Sequence, residues 1–156
     1  MIKKIILWIA VIALSLTIFD FSAKPAAESA GISSQIAEKV IEFAEKVVKI
    51  DDYQREGVLY TMHLLIRKGA HFLEFALLSI LVFFLAKSYN LSKKISIIIA
   101  LGYCLVFAAS DEFHQLFVSG RSGQISDVLL DFCGALFGAL ICYLIVKIGE
   151  KKKKKA

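Results

Sequence analysis

Three short stretches of this chain concentrate the side chains able to do chemistry, and in each the spacing is helical. Arg67, His71 and Glu74 stand at i, i+4 and i+7, with Lys68 beside them. Asp111, His114 and Gln115 stand at i, i+3 and i+4, with Glu112 adjacent, and Asp127, Asp131, Gly134 and Gly138 at i, i+4, i+7 and i+11. Positions three and four apart share a helix face, so each stretch offers one polar stripe. His71 with Glu74, or His114 with Asp111, has the makings of a general base steered by a carboxylate, and Glu112 is a further acid. Ser110, Ser119, Ser122 and Ser126 lie nearby, but none sits in a nucleophile elbow, so water serves equally well as nucleophile.

The same residues admit two kinds of ligand. His, Asp and Glu are sound ligands for a divalent zinc or manganese ion, yet the sequence has no His-x-x-x-His, no His-Glu-x-x-His and no Cys pair, so a metal site needs ligands from separate helices. No cofactor is otherwise indicated. Ser119-Gly120-Arg121-Ser122-Gly123 is a glycine-bearing, cationic turn whose guanidinium fork suits a phosphate or carboxylate. A re-entry turn whose Arg121 simply pairs with Asp127 fits that sequence as well. More generally, Arg67 or Lys68 with Glu74, and Arg121 with Asp111, Asp127 or Asp131, could be ion pairs that only lock a bundle.

What positions these stripes is an apolar chain. Of 156 residues, 58% are hydrophobic and 21% charged, and the mean hydropathy is +0.69, which excludes disorder and a soluble basic nucleic-acid binder. Lys and Arg number 19 against 14 acids, but five lysines form the run 151–155 and most others flank apolar stretches, which points to anionic lipid and not to nucleic acid. Cys104, Cys133 and Cys142 lie inside apolar runs and read as small buried hydrophobes.

Four apolar runs stand out, at residues 5–19, 72–86, 95–110 and 128–148. A hydrocarbon core of about 30 Å takes about 20 helical residues. The second and third runs offer only 15 and 16, so they carry polar residues into the membrane with them. The first run follows Lys3 and Lys4 like a signal peptide, but Asp20 and Phe21 occupy the place of a small-x-small cleavage site, so an uncleaved helix is expected. Lys3, Lys4, Lys87, Lys93, Lys94, Lys147 and the run 151–155 give eleven basic residues on one side, opposed by Glu150 alone; the remaining segments hold eight basic and thirteen acidic residues. That bias puts both termini in the cytoplasm. Between the first two spans, Ser33 and Ser34 offer a helix start, and Ile36, Val40, Phe43 and Val47 follow at helical spacing with Glu38, Lys39, Glu42, Glu45 and Lys46 on other faces. This predicts an amphipathic cap on the membrane or on the other helices. After Asp51 and Asp52, residues 58–66 are apolar enough to run into the second span.

Depth brings the stripes together. Twenty residues back from Lys87 is Arg67, twenty forward from Lys94 is His114, and twenty back from Lys147 is Asp127, each about 30 Å along a helix. Polar groups of three spans thus share the outer-leaflet level. An ionised group costs about 2.5 to 3.5 kcal/mol or more at the bilayer centre, so the stripes should face each other or a watery cleft. Gly134-x-x-x-Gly138 on the stripe of the fourth span lets a neighbour approach closely.

Residues 67–75 (Arg67-Lys68-Gly69-Ala70-His71-Phe72-Leu73-Glu74-Phe75), residues 111–121 (from Asp111-Glu112-Phe113-His114-Gln115 to Ser119-Gly120-Arg121), and Asp127-Val128 through Gly134 and Gly138 resemble, in that order, the VanZ-like family. The resemblance covers residues 5–148 in layout. The family comprises small bacterial membrane proteins and takes its name from a member associated with teicoplanin resistance; the likeness implies an envelope setting and names no reaction. Two positions depart from the family pattern: Ser119 stands where proline is frequent, and Asp131 where asparagine is usual.

Together these readings predict an all-α membrane protein. It is a bundle of four transmembrane helices near 3–21, 67–87, 94–115 and 127–148, N-in and C-in, with an amphipathic extracytoplasmic helix between the first two, forming one domain over 1–150 before a basic cytoplasmic tail at 151–156. The expected setting is the bacterial cytoplasmic membrane with a polar cleft on the extracytoplasmic side. One functional reading is a cleft that binds an anionic lipid or a lipid-linked cell-wall precursor through Arg67, Lys68, Gln115, Arg121, Asp127 and Asp131, in a protein tied to glycopeptide resistance. A second is a membrane-embedded hydrolase or transferase working through His71 and His114 with Glu74, Asp111 and Glu112. A third is a structural partner of another membrane protein, using the Gly134 and Gly138 face.

Overall fold

The computed structural model describes residues 1–45 and 51–153. Among these residues five helices follow one another: α1 (Ile2–Ala23), α2 (Ala26–Glu45), α3 (Asp52–Ser88), α4 (Lys93–Gln115) and α5 (Ile125–Lys153). No strand occurs among the described residues. Four of the five, α1, α3, α4 and α5, are long and apolar enough to cross a membrane. Their outward faces are aliphatic, as Ile9, Ile12 and Leu16 on α1, Ile98 and Val106 on α4, and Leu140 and Ile145 on α5 illustrate. In water such a surface would drive association; against lipid tails it costs nothing.

The central element is α3, which touches each of the other helices. At about 1.5 Å per residue its 37 residues extend about 55 Å, against about 35 Å for the 23 residues of α4, so its first turns reach beyond the other spans. On that overhang lies α2, antiparallel to it: Ser33 Oγ meets His63 Nδ1 at 2.6 Å, and Arg55 Nε meets Glu45 Oε1 at 3.1 Å. The sequence predicts this helix to start at Ser33, but it starts at Ala26, immediately after Pro25, whose carbonyl accepts from Glu28 and Ser29. Proline fits the first turn of a helix because its missing N–H has no partner to lose there. Ala37 and Ile41 of α2 are buried against the bundle together with Ser33. Lys46 and Val47, which the periodicity adds to this helix, lie outside the described residues. The second span likewise starts well before residue 67, because the apolar stretch 58–66 continues the helix without a break.

Lysines and aromatics gather at one end of the bundle. Trp8 Nε1 donates to Tyr89 Oη at 3.0 Å, Lys4 Nζ lies 4.2 Å from the centre of the Tyr89 ring, and Lys93 reaches Glu150 at 3.2 Å. This is the pattern of a membrane interface. α4 starts here on Ser92, whose side chain accepts from the Ile95 N–H, and the turn before it passes through Asn90 at φ 61°.

Close approach is achieved along α5. A Cβ on Gly134 would collide with the Phe72 carbonyl, and one on Gly138 with the Ala76 carbonyl, so the glycine stripe is where α3 backbone lies against α5. The core beside this seam is built from Phe75, Leu78, Val82 and Phe83 of α3, Ala100, Cys104 and Ala108 of α4, and Ala135 and Cys142 of α5, with Val11 and Ile18 of α1.

Candidate functional site

The polar residues meet at the end opposite the lysines. On α4 the buried face runs Ser96, Ala100, Cys104, Ala108, Asp111, Glu112 and Gln115, so the helix's small apolar seam turns acidic in its last turns. Asp111 Oδ2 accepts from Ser22 Oγ of α1 at 2.8 Å and from Gln115 Nε2 at 3.1 Å. The same Gln115 nitrogen lies 3.0 Å from Glu112 Oε1 and 2.9 Å from Ser22 Oγ. Glu112 Oε2 accepts from the Gln124 N–H at 2.9 Å, one residue before α5 begins. An acid at that point meets the positive end of the helix dipole.

Arg121 takes a different partner from the one its sequence neighbours suggest. It does not pair with Asp127; its Nε donates to the Lys24 carbonyl at 2.9 Å and its Nη2 to the Phe21 carbonyl at 3.1 Å, and its Nη1 lies 3.4 Å from Gln115 Oε1. These carbonyls end α1, where no intrahelical N–H remains to satisfy them and the dipole is negative, so a guanidinium suits the place. Burial, then the nearby Arg67, hold the Arg121 pKa below the usual arginine value. The loop is placed by Gly120, at φ 73°, and by the Ser119 carbonyl, which accepts from the Ala26 N–H at 3.2 Å. Asp127 is instead paired with Lys68 of α3 at 3.0 Å, in the first turn of α5.

A cavity of about 160 Å³ opens among these groups. Arg67, Lys68 and His71 line it from α3, Glu112 and Gln115 from α4, Arg121 from the loop, and Asp127 and Asp131 from α5. A second cavity, of about 180 Å³, lies under α2 and is bounded by Phe21, Ile36, Ile66 and Ala70 together with Ser29, Ser33 and Glu74. Arg67 and His71 line both. Among the described residues no hydrogen bond or ion pair engages the Arg67 guanidinium. The described residues contain no group of three or more His, Cys, Asp or Glu placed to hold a metal ion.

The stripes foreseen from the sequence therefore converge, with three exceptions in position. Asp111 is buried behind the polar cavity, held by Ser22 and Gln115, and does not line it. His114 lines neither cavity; its ring packs on Phe19 of α1 at 4.5 Å. Glu74 faces the cavity under α2 and is absent from the polar one. Two participants escape a reading of the sequence. Ser22 is one hydroxyl in an apolar helix, and only its register with Val11, Ser15 and Ile18 marks the inward face. His63 sits among polar and apolar residues with no patterned neighbour, and its partner Ser33 is thirty residues away.

Residues 6–146 match the VanZ/LLP1 family model. The chain belongs to the VanZ/LLP1 family. No curated protein and no solved structure gives a match. Membership covers both cavities, since every residue that lines them falls between 6 and 146.

Proposed function

We propose that this VanZ/LLP1 protein binds the anionic head group of a membrane lipid or of a lipid-linked cell-wall precursor in the polar cavity, on the extracytoplasmic side of the bacterial cytoplasmic membrane. The observation that carries the reading is Arg67. Among the described residues its guanidinium has no hydrogen-bond or ion-pair partner, and Arg67 lines a polar cavity on one side and an apolar one on the other. A free phosphate would use only the first; an amphiphile uses both. Lys68 and Arg121 add positive charge to the same chamber while remaining tied to Asp127 and to backbone carbonyls. A part in glycopeptide (teicoplanin) resistance belongs to the same proposal, as one outcome of holding an envelope lipid.

The test is extraction of the full chain in mild detergent and native mass spectrometry of the lipids it retains. Arg67→Gln should strip off retained anionic lipid, whereas Lys39→Gln, an exposed lysine of α2, should not. Equal retention by both variants would refute the reading. The alternative of a membrane hydrolase using His71 and His114 together is weakened by the position of His114 on Phe19, which leaves His71 as the histidine of the cavity.

A further inference from the structure

Among the described residues, Asp131 is the acid lining the polar cavity whose carboxyl oxygens accept no hydrogen bond. Its residue is 1% exposed, it lines the cavity, and neither Oδ1 nor Oδ2 receives a hydrogen bond. The other acids are satisfied: Glu112 by Gln115 and the Gln124 N–H, Asp127 by Lys68. His71 stands beside it, its Nδ1 likewise buried without a hydrogen-bond partner and 4.0 Å from Oδ1. That separation is too long for a direct hydrogen bond. It does admit one oxygen about 2.8 Å from each, donating to the carboxylate. Buried polar atoms are almost always paired, so two carboxyl oxygens and a ring nitrogen left without hydrogen bonds on residues lining one cavity leave bonding capacity that a ligand completes.

Resting on the reading that Arg67 holds an anion here, we infer that the head group also carries hydrogen-bond donors of its own, hydroxyl or ammonium N–H, and that Asp131 with His71 accepts them. The ligand class is thus an amphiphile with a phosphate or carboxylate at Arg67 and a donor-bearing polyol, sugar or primary amine beyond it. A bare phosphate monoester and a phosphocholine both lack the second feature, since a quaternary nitrogen has no N–H to give.

The experiment titrates the full chain in detergent with short-chain diacyl phospholipids of one chain length in two charge-matched pairs, read by native mass spectrometry. Phosphoethanolamine and phosphocholine differ in N–H donors, and phosphoglycerol and its methanol-ester counterpart differ in hydroxyls. The wild type should bind the donor-bearing member of at least one pair about tenfold more tightly, as one or two hydrogen bonds to a buried carboxyl group allow. Which pair discriminates tells amine from hydroxyl. Asp131→Asn, which replaces one acceptor oxygen with a donor NH2, should sharply reduce the preference while keeping affinity for the donor-free lipids within about twofold, a control for folding. Equal binding across both pairs overturns the inference, and so does an Asp131→Asn variant that weakens all four lipids alike. Arg67→Gln reports separately on the parent reading: uniform weakening sustains it even where the pairs fail to discriminate, and no effect on any lipid removes it.

Discussion

Gln115 sets one amide nitrogen among three oxygens, those of Ser22, Asp111 and Glu112, in the buried end of the bundle. Two carboxylates so close depend on that shared donor more than on any single hydrogen bond, because losing it leaves acceptors buried and unmet. Gln115→Leu should therefore lower the stability of the protein in micelles by about 1 to 3 kcal/mol, read as a drop in thermal midpoint. Ser22→Ala, which takes one donor from Asp111, should cost about 1 kcal/mol. A Gln115→Leu protein as stable as the wild type would contradict this account. At this scale the sequence is informative about type and less so about direction. Asp111, His114 and Gln115 share a helix face only loosely: at about 100° per residue, positions three and four on from Asp111 diverge by about 100°. Gln115 falls inside, and His114 falls toward α1 and Phe19. Ser22 was unreadable because a hydroxyl in an apolar helix has the same local pattern whether it faces a carboxylate or its own backbone, as Thr17 does by donating to the Ala13 carbonyl.

Helices meet the site through backbone contact as much as through side chains. Gly134 and Gly138 face carbonyl oxygens of Phe72 and Ala76, and those two positions bracket the stretch of α3 one turn below His71. A carbonyl held in a helix cannot step aside as a side-chain tip can, so Gly134→Ala or Gly138→Ala must push α3 and α5 apart, at about 1 to 3 kcal/mol. Gly102, in the middle of α4, has nothing within 4 Å of a would-be Cβ. There alanine should stabilise by about 0.5 to 1 kcal/mol through helix propensity. Thermal midpoints moving in opposite directions for Gly138→Ala and Gly102→Ala would establish the seam; movement in the same direction would deny it. The spacing of the glycines is legible in the sequence, but their partner is not, since α4 also lies against α5. The extent of α2 was hidden for a related reason. Residues 26–33 are mostly small, with weak periodicity of their own, and the overhang of α3 supplies the surface that orders them. Ala37→Leu, placing bulk at a position buried against that overhang, should loosen α2 and expose it to protease while the spans stay protected. Unchanged cleavage would mean that α2 is held by other means.

The whole molecule has two chemically different ends, and membrane orientation decides which solvent the cavities see. At one end Lys4, Lys93 and Lys147 lie over the rings of Tyr89 and Tyr143 and Lys93 pairs with Glu150, close to the lysine run of the tail. At the other, Arg67, Lys68 and Arg121 are balanced by Glu112, Asp127 and Asp131 around the polar cavity. An anionic inner leaflet favours each nearby lysine by about 1 kcal/mol, and the mixed-charge end gains little from either side, so the lysine end should be retained in the cytoplasm. The native cysteines do not interfere with a labelling test, since Cys104 and Cys142 are buried and Cys133 sits on the outward face of a span. Ser122→Cys, exposed in the loop at the cavity mouth, should react with an impermeant maleimide in intact cells. Lys151→Cys, at the exposed end of α5, should react only once the cells are opened, and its loss leaves the rest of the lysine run in place. The opposite labelling pattern would turn the cavities toward the cytoplasm, beyond reach of any outer-leaflet lipid, while leaving the bundle and its polar chamber as described.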